Sequence, residues 1–384
     1  MSFSDAREPA SVDEGIDLGA AARLVVLAHG ASPCAVVGAA LRRGGAWIHG
    51  SGKAGLLSKE NFGARAVSIA TRFDLASVTK PVTALTLARL DRAGVLGRDE
   101  LLGDVLPQLA ATRSARVPLD LLSAHRAGLE AHLELFAPLR SGGTIDRAAA
   151  LVTCADARRK GCDGDAPIEG FPPMYSDLGY LLLGAAIAAR GGADLDYVLD
   201  REVNLPLVLD LGSARALGDR RGFNADVAPT ESVPFRGGIV DGVVHDENAW
   251  AMSGDAASGH AGLFGDVRSV VALGVAIVDA LAGRRAEWLS PDDLEPLLRT
   301  RPGGSLLAGF DRRSGDAPSS GQRFGPRTFG HLGFTGTSLW IDPDASLVGV
   351  LLTNRVHPTR DHLAIRRARP AAYDAIAEAM LGGC

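Results

Sequence analysis

The sequence predicts an α+β fold, with one antiparallel sheet assembled from both ends of the chain, flanked by helices, and a mainly helical lobe inserted between them. Three observations carry this. Two short apolar runs joined by a Gly-containing turn lie near the N-terminus, and two more, joined at Asp342-Pro343-Asp344, lie near the C-terminus. Between them, residues 98–300 are mostly Ala/Leu-rich helical pattern cut by Pro/Gly loops.

In chain order, residues 17–29 read as a first helix. Cys34–Leu41 and Ala46–Gly50 form the first hairpin, turning at Arg42-Arg43-Gly44-Gly45. Phe73-Asp74-Leu75-Ala76 leads into a helix over Ser77–Ala93 that Gly94 closes. Leu178–Ala189 and Val267–Leu281 are the clearest inserted helices. Gly303–Arg327, rich in Gly, Ser and Arg, reads as an exposed loop. Gly333–Ile341 and Leu347–Leu352 form the second hairpin, and a helix over about 361–382 closes the chain. The expected organisation is one domain over residues 1–384, with an α/β lobe at 17–95 and 325–384 and a helical lobe at 96–324.

The 384 residues are 46% hydrophobic and 22% charged, enough to bury a sizeable core. A formal net charge of −5, with basic residues scattered rather than clustered, excludes general attraction to nucleic acid or anionic membranes. Cys34, Cys154, Cys162 and Cys384 show no zinc-binding spacing and are read as isolated thiols in a reducing compartment. The first residues, Met1-Ser-Phe-Ser-Asp-Ala-Arg-Glu, lack the apolar segment of a signal peptide, and no run approaches the roughly 18 apolar residues of a spanning helix. A cytoplasmic protein is expected.

Three motifs could carry chemistry. In Ser77-Val78-Thr79-Lys80, positions i and i+3 share a helix face, so hydroxyl and amine can meet. Serine is a weak nucleophile until a base takes its proton, and a buried lysine can have its pKa depressed enough to do so. The same four residues also suit a helix cap and a solvated lysine. Tyr175-Ser176-Asp177 precedes the helix at Leu178, where Ser176 or Asp177 could cap and Tyr175 could relay protons. His331-Leu332-Gly333-Phe334-Thr335-Gly336-Thr337-Ser338 opens a strand whose glycines would let backbone N–H groups approach a developing oxyanion, or merely shape the strand entry.

The order and spacing of these three elements resemble the β-lactamase/penicillin-recognising superfamily, which carries Ser-x-x-Lys, then Tyr-x-Asn or Ser-x-Asn, then Lys-Thr-Gly. The Tyr-type second element resembles the branch with class C β-lactamases, D-alanyl-D-alanine carboxypeptidases and β-lactamase-like carboxylesterases. His125-Arg-Ala-Gly-Leu129, Tyr175-Ser-Asp-Leu-Gly-Tyr-Leu-Leu-Leu-Gly184, Gly259-His-Ala-Gly-Leu-Phe264 and Gly330-His-Leu-Gly-Phe-Thr-Gly336 add to the likeness, which spans about residues 20–380. The resemblance implies that Ser77 is acylated, that Lys80 accepts its proton, and that Tyr175 relays protons to the leaving group. It further implies an oxyanion hole formed by the N–H groups of Ser77 and Phe334, beside Gly333.

The chain departs from that pattern in places. Asp177 replaces the usual Asn, and an ionised carboxylate there would hold Lys80 as an ammonium. His331 and Leu332 replace the Lys and Thr that hold a substrate carboxylate, leaving His331 as a possible cation below about pH 6.5. His245-Asp246-Glu247-Asn248 and His260 form a further polar cluster, read as capped loops bordering the cleft rather than a metal site, and the sequence leaves open whether His245 and His260 line the substrate pocket. No cofactor is expected.

The resulting expectation is a serine hydrolase acting on a small ester, an amide or a cell-wall fragment, with carboxylesterase-type activity foremost. A β-lactamase or D-alanyl-D-alanine carboxypeptidase is the alternative within the class. A binding module that keeps the fold without the chemistry is the alternative outside it.

Overall fold

The computed structural model describes residues 15–57, 65–218 and 226–382. Its centre is a seven-stranded sheet of β1 (Ile16–Asp17), β2 (Cys34–Arg43), β3 (Ala46–Gly55), β4 (Asp311–Arg312), β5 (Phe329–Leu332), β6 (Ser338–Asp342) and β7 (Leu347–Thr353), in the order β1-β3-β2-β7-β6-β5-β4. All pairings are antiparallel except the short parallel edge pair β1–β3. The two ends of the chain meet at β2–β7, where Val37 faces Leu351. The fold is the α+β arrangement that the sequence predicts.

The helices used below are α1 (Gly19–Arg23), α2 (Thr79–Arg92), α3 (Asp177–Gly191), α4 (Glu247–Ser253), α5 (Val267–Leu281) and α6 (Ile365–Leu381). Successive residues of the central strands point to opposite faces, and both faces are covered. Val37, Leu41, Trp340 and Leu351 pack with α1 and α6, where Ala21, Tyr373 and Ile376 lie. Val36, Ala40, Leu339, Val348 and Val350 pack on the other side with Val267, Val270 and Ile277 of α5. Burial of both faces explains why these strands read as continuous apolar runs rather than alternating ones. The tight β6–β7 turn is held by Asp342 Oδ1, which accepts from the Asp344 and Ala345 N–H groups at 3.1 and 3.2 Å.

Three expectations need correction. Gly333–Ile341 is not one strand: β5 ends at Leu332, residues 333–337 turn, and β6 begins at Ser338. The packed turn requires glycine at 333, because a Cβ there would lie 2.0 Å from Thr337 Oγ1 and 2.6 Å from the Leu75 carbonyl. Gly303–Arg327 is not simply an exposed loop, since Leu307, Ala308, Phe310 and Phe324 are buried and β4 completes the sheet edge. The last helix starts at Ile365, not 361, because the preceding residues carry side chains and carbonyls that bind neighbours outside a helix. Cys34, Cys154 and Cys162 are buried free thiols, and burial raises the pKa of Cys34 and lifts that of Cys154 to about 12. Cys384 and residues 1–14 lie outside the described residues. Among the described residues, no single helix is long and apolar enough to cross a membrane.

Candidate active site

Phe73–Asp74 pairs with Phe264–Gly265 in a two-stranded ribbon that delivers the chain to Ser77. The turn is sharp: Ala76 adopts φ +48°, then Ala76–Val78 form one 3-10 turn that runs into α2. The buried Asp74 carboxylate pins this turn, with Oδ1 accepting from the Ala76 N–H at 2.8 Å and Oδ2 from the His245 N–H at 2.6 Å. As the second residue of the turn, Ser77 has a backbone N–H with no intrahelical acceptor.

Lys80 lies one turn on and is fully buried, not solvated. Its Nζ donates to Ser77 Oγ at 2.9 Å, Asp177 Oδ1 at 2.8 Å and the His260 carbonyl at 3.1 Å. An ammonium has three donors, and all three are used. Burial alone would lower the Lys80 pKa, but the charge of Asp177, then that of Tyr175, outweigh it and hold the pKa above the ordinary lysine value. The resting ammonium has no lone pair. While protonated it meets Ser77 Oγ as a donor, whereas the resemblance implies that Lys80 accepts the Ser77 proton.

Ser176 N-caps α3 through its Oγ, which accepts from the Gly179 N–H at 3.4 Å, so Tyr175 is held just outside the helix. Its ring stacks on His125 at 4.6 Å, lies 6.0 Å from His331, and has Lys80 Nζ 4.7 Å from its centroid. The phenol interacts with Lys80 and Ser77. Burial raises the Tyr175 pKa and the Lys80 charge only partly opposes this, so the resting phenol is protonated.

His125 and His331 flank the tyrosine as neutral rings. His125 Nδ1 accepts the Ser176 N–H at 3.0 Å, and burial, then the charge of Lys80, holds its pKa well below the usual value. His331 Nδ1 lies 2.8 Å from the Leu332 carbonyl, and burial, then Lys80, lowers its pKa to about 3. The expectation that His331 becomes a carboxylate-binding cation near pH 6 is therefore wrong: it is buried against an existing positive charge.

His245 lines the cleft, with Nε2 2.8 Å from Glu231 Oε2 and its ring stacked at 5.7 Å on Phe334. His260 does not line it. Its ring is buried between Asp246 Oδ1 at 2.9 Å and Ser258 Oγ at 3.1 Å, while its carbonyl holds Lys80. Burial disfavours the charged imidazole, but Asp246 overrides it and raises the His260 pKa, and the two side chains hold each other behind the site. Among the described residues, no group of three His, Cys, Asp or Glu side chains could hold a metal ion.

Ser77, Tyr175, Asp177, Leu332, Gly333 and Phe334 open on one cleft of about 850 Å³. The structure thus brings together eight of the predicted site residues: Ser77, Lys80, Tyr175, Asp177, His245, His331, Gly333 and Phe334. Phe334 is 48% exposed, and among the described residues its N–H has no acceptor. Thr335 Oγ1 donates to the Asp74 carbonyl at 2.7 Å and Thr337 Oγ1 to the Leu75 carbonyl at 3.0 Å, tying the 333–337 turn to the strand that carries Ser77.

The model of the Beta-lactamase family matches residues 27–373. The chain belongs to that family. A "Putative D-alanyl-D-alanine carboxypeptidase" of Salmonella agona is 30% identical over 212 residues, 50% of this chain and 48% of the relative, so the chain spans about half of it. An "N-acetylmuramyl-L-alanine amidase" of Bacillus subtilis is 29% identical over 318 residues, 75% of this chain and 68% of that protein. Two solved structures share the fold. "EstCE1, a hydrolase with promiscuous acyltransferase activity" has a TM-score of 0.66 at 20% identity, covering 92% of this chain and 97% of its own. A class C beta lactamase from Rhodobacter sphaeroides has a TM-score of 0.63 at 20% identity, covering 94% and 97%. Members of this family are serine hydrolases.

Sequence reasoning assigned no role to four supports of the site: Asp74, His125, Arg355 and Arg369. Their decisive partners lie far off in the chain, as with Asp74 on the His245 N–H, His125 on the Ser176 N–H and Arg369 Nη2 on the Gly333 carbonyl, and no local spacing signals that.

Proposed function

We propose that the protein hydrolyses an ester or amide through an acyl-enzyme on Ser77, with a carboxylesterase-type activity on a neutral acyl group. The observation that carries the mechanism is the saturated Lys80 ammonium, which donates to Ser77 Oγ and so leaves the Ser77 O–H to point at Tyr175. In this reading Ser77 Oγ attacks the carbonyl carbon and its proton passes to the Tyr175 oxygen in the same step as the phenol hands its own proton to the leaving oxygen or nitrogen, so Tyr175 never carries two protons, and the C–O or C–N bond then breaks. Lys80 stabilises the negative charge gathering on both oxygens, and the Ser77 and Phe334 N–H groups receive the oxyanion. Water then attacks the acyl-enzyme by the reverse proton path and frees Ser77.

The neutral acyl preference rests on the wall beside Ser77. Leu332, Phe334 and Leu363 line it, His331 is uncharged, and of the arginines that border the cleft Arg360 is paired with Glu231 and Glu247 while Arg355 and Arg369 are engaged by backbone carbonyls. A second reading, amide cleavage in a cell-wall fragment, is favoured by the Bacillus subtilis relative. The buried free thiols fit the reducing cytoplasm proposed for the protein. The test is turnover of p-nitrophenyl butyrate by wild type and Ser77→Ala, with circular dichroism as the folding control. Loss of turnover in a folded variant supports the proposal; equal rates would make Ser77 a structural residue, and no turnover by wild type above the uncatalysed rate would make the protein an inert binding module.

A further inference from the structure

Two arginines that border the cleft hold the carbonyl side of the turn that presents Phe334. Arg369 of α6 is buried, and its Nη2 donates to the Gly333 carbonyl at 2.7 Å and the Thr337 carbonyl at 3.1 Å, at the two ends of the turn. Arg355 Nε donates to the Phe334 carbonyl at 2.8 Å, and the Arg355 N–H to the Thr335 carbonyl at 3.0 Å. The Gly333 carbonyl and the Phe334 N–H belong to one planar trans peptide, so they point in opposite directions. Fixing that carbonyl aims the N–H at the cleft. A cationic donor on the carbonyl also polarises the peptide and strengthens its N–H as a donor.

Neither guanidinium forms an ion pair with a carboxylate among the described residues, unlike Arg360 nearby. Burial lowers the Arg369 pKa to about 10, which still leaves it charged at neutral pH. Its Nε is buried without a partner. A buried cation without a counter-ion is costly, and a helix anchor needs no charge. The cost makes sense where negative charge appears transiently nearby.

We propose that Arg369, assisted by Arg355, is a positioning residue for the oxyanion: it orients and polarises the Gly333–Phe334 peptide and leaves its own charge uncompensated until the tetrahedral intermediate forms. The inference rests on the reading of the Phe334 N–H as an oxyanion donor. Removing an oxyanion donor outright costs about 10²–10³ in kcat, so loosening one should cost roughly 10–10².

The experiment compares wild type, Arg369→Met and Arg369→Lys. It measures kcat and KM for p-nitrophenyl butyrate, normalised to Ser77 titrated by a fluorophosphonate, the Ki of phenylboronic acid, whose tetrahedral adduct on Ser77 carries an oxyanion mimic, and Tm. For Arg369→Met the expected result is a fall in kcat of roughly 10–10²-fold, a parallel weakening of the boronate, and KM within about threefold. Arg369→Lys, which keeps a charge, should recover part of both losses, and it carries the test if Arg369→Met does not fold. A residue that only anchors α6 would lower Tm but leave the titrated kcat and the boronate Ki unchanged, and that result would overturn the inference. If wild type takes no fluorophosphonate on Ser77, the proposed function fails first. If wild type is labelled and the folded variants turn over and bind boronate equally well, the inference about Arg369 alone fails.

Discussion

Replacing Asp177 by Asn tests the charge balance on which the proton path depends. Asp177 Oδ1 lies 2.8 Å from Lys80 Nζ, and Lys80 is fully buried while the Asp177 side chain is 20% exposed. Two unit charges at this distance attract by about 6 kcal/mol at an effective dielectric constant near 20, and by about 1.5 kcal/mol in bulk water. Partial exposure places the pair between these limits, at a few kcal/mol. Each 1.36 kcal/mol corresponds to one pH unit. The sign follows from the causes: burial lowers the Lys80 pKa and Asp177 is the foremost influence raising it, so Asp177→Asn lets burial win. The raised pKa of wild-type Lys80 keeps the ammonium, and the stability drawn from the pair, through neutral pH and loses them only as pH rises through the folded value. The assay is kcat/KM for p-nitrophenyl butyrate from pH 6 to 10. Wild type should show no alkaline loss from Lys80 across this range, whereas Asp177→Asn should acquire a descending limb displaced acidward by about one pH unit or more. A limb that stays in place or moves to higher pH would refute the reasoning, because Lys80 would then not depend on Asp177 for its proton.

Two further predictions concern catalysis and selectivity. Lys80→Ala and Tyr175→Phe should each lower kcat by about 10²-fold or more, with the double variant little worse than either single one, since both serve a single proton path; kcat measurement on all three checks this, and simple multiplication of the losses would show separate roles. Neutral short-chain esters should exceed nitrocefin in kcat/KM by at least about 10²-fold at pH 7.5, the scale expected for losing a charged donor and a hydroxyl from the carboxylate site. Because the His331 pKa lies near 3, that ratio should stay flat from pH 8 to 6; a rise in nitrocefin turnover over this interval would mean that His331 titrates there.

What the sequence revealed, and what it hid, follows from the range of each interaction. Ser77 and Lys80 sit three residues apart across a 3-10 turn and the start of α2, and Tyr175 sits at a capped helix start, so the candidates were visible locally, but the order of the three motifs and its resemblance to a known superfamily selected them. Local pattern sufficed for α5, whose Asp266 cap and apolar stripe fix its limits at Val267 and Leu281. The 333–337 turn was misread as strand because its apolar residues suit either state. What decides is contact with Asp74 and Leu75, some 260 residues away. The His331 error has the same origin: residue type sets the ordinary pKa, but burial beside Lys80 sets the actual one. The sequence left the place of His260 open, and its pairing with Asp246 turns the ring away and leaves only its carbonyl facing Lys80.

The central claim is that Ser77 is an activated nucleophile, and intact-protein mass after treatment with a fluorophosphonate tests it most directly. One adduct, mapped to Ser77 and absent in a folded Ser77→Ala variant, is the result predicted. An unmodified wild-type protein, or an adduct carried equally by Ser77→Ala, would contradict it.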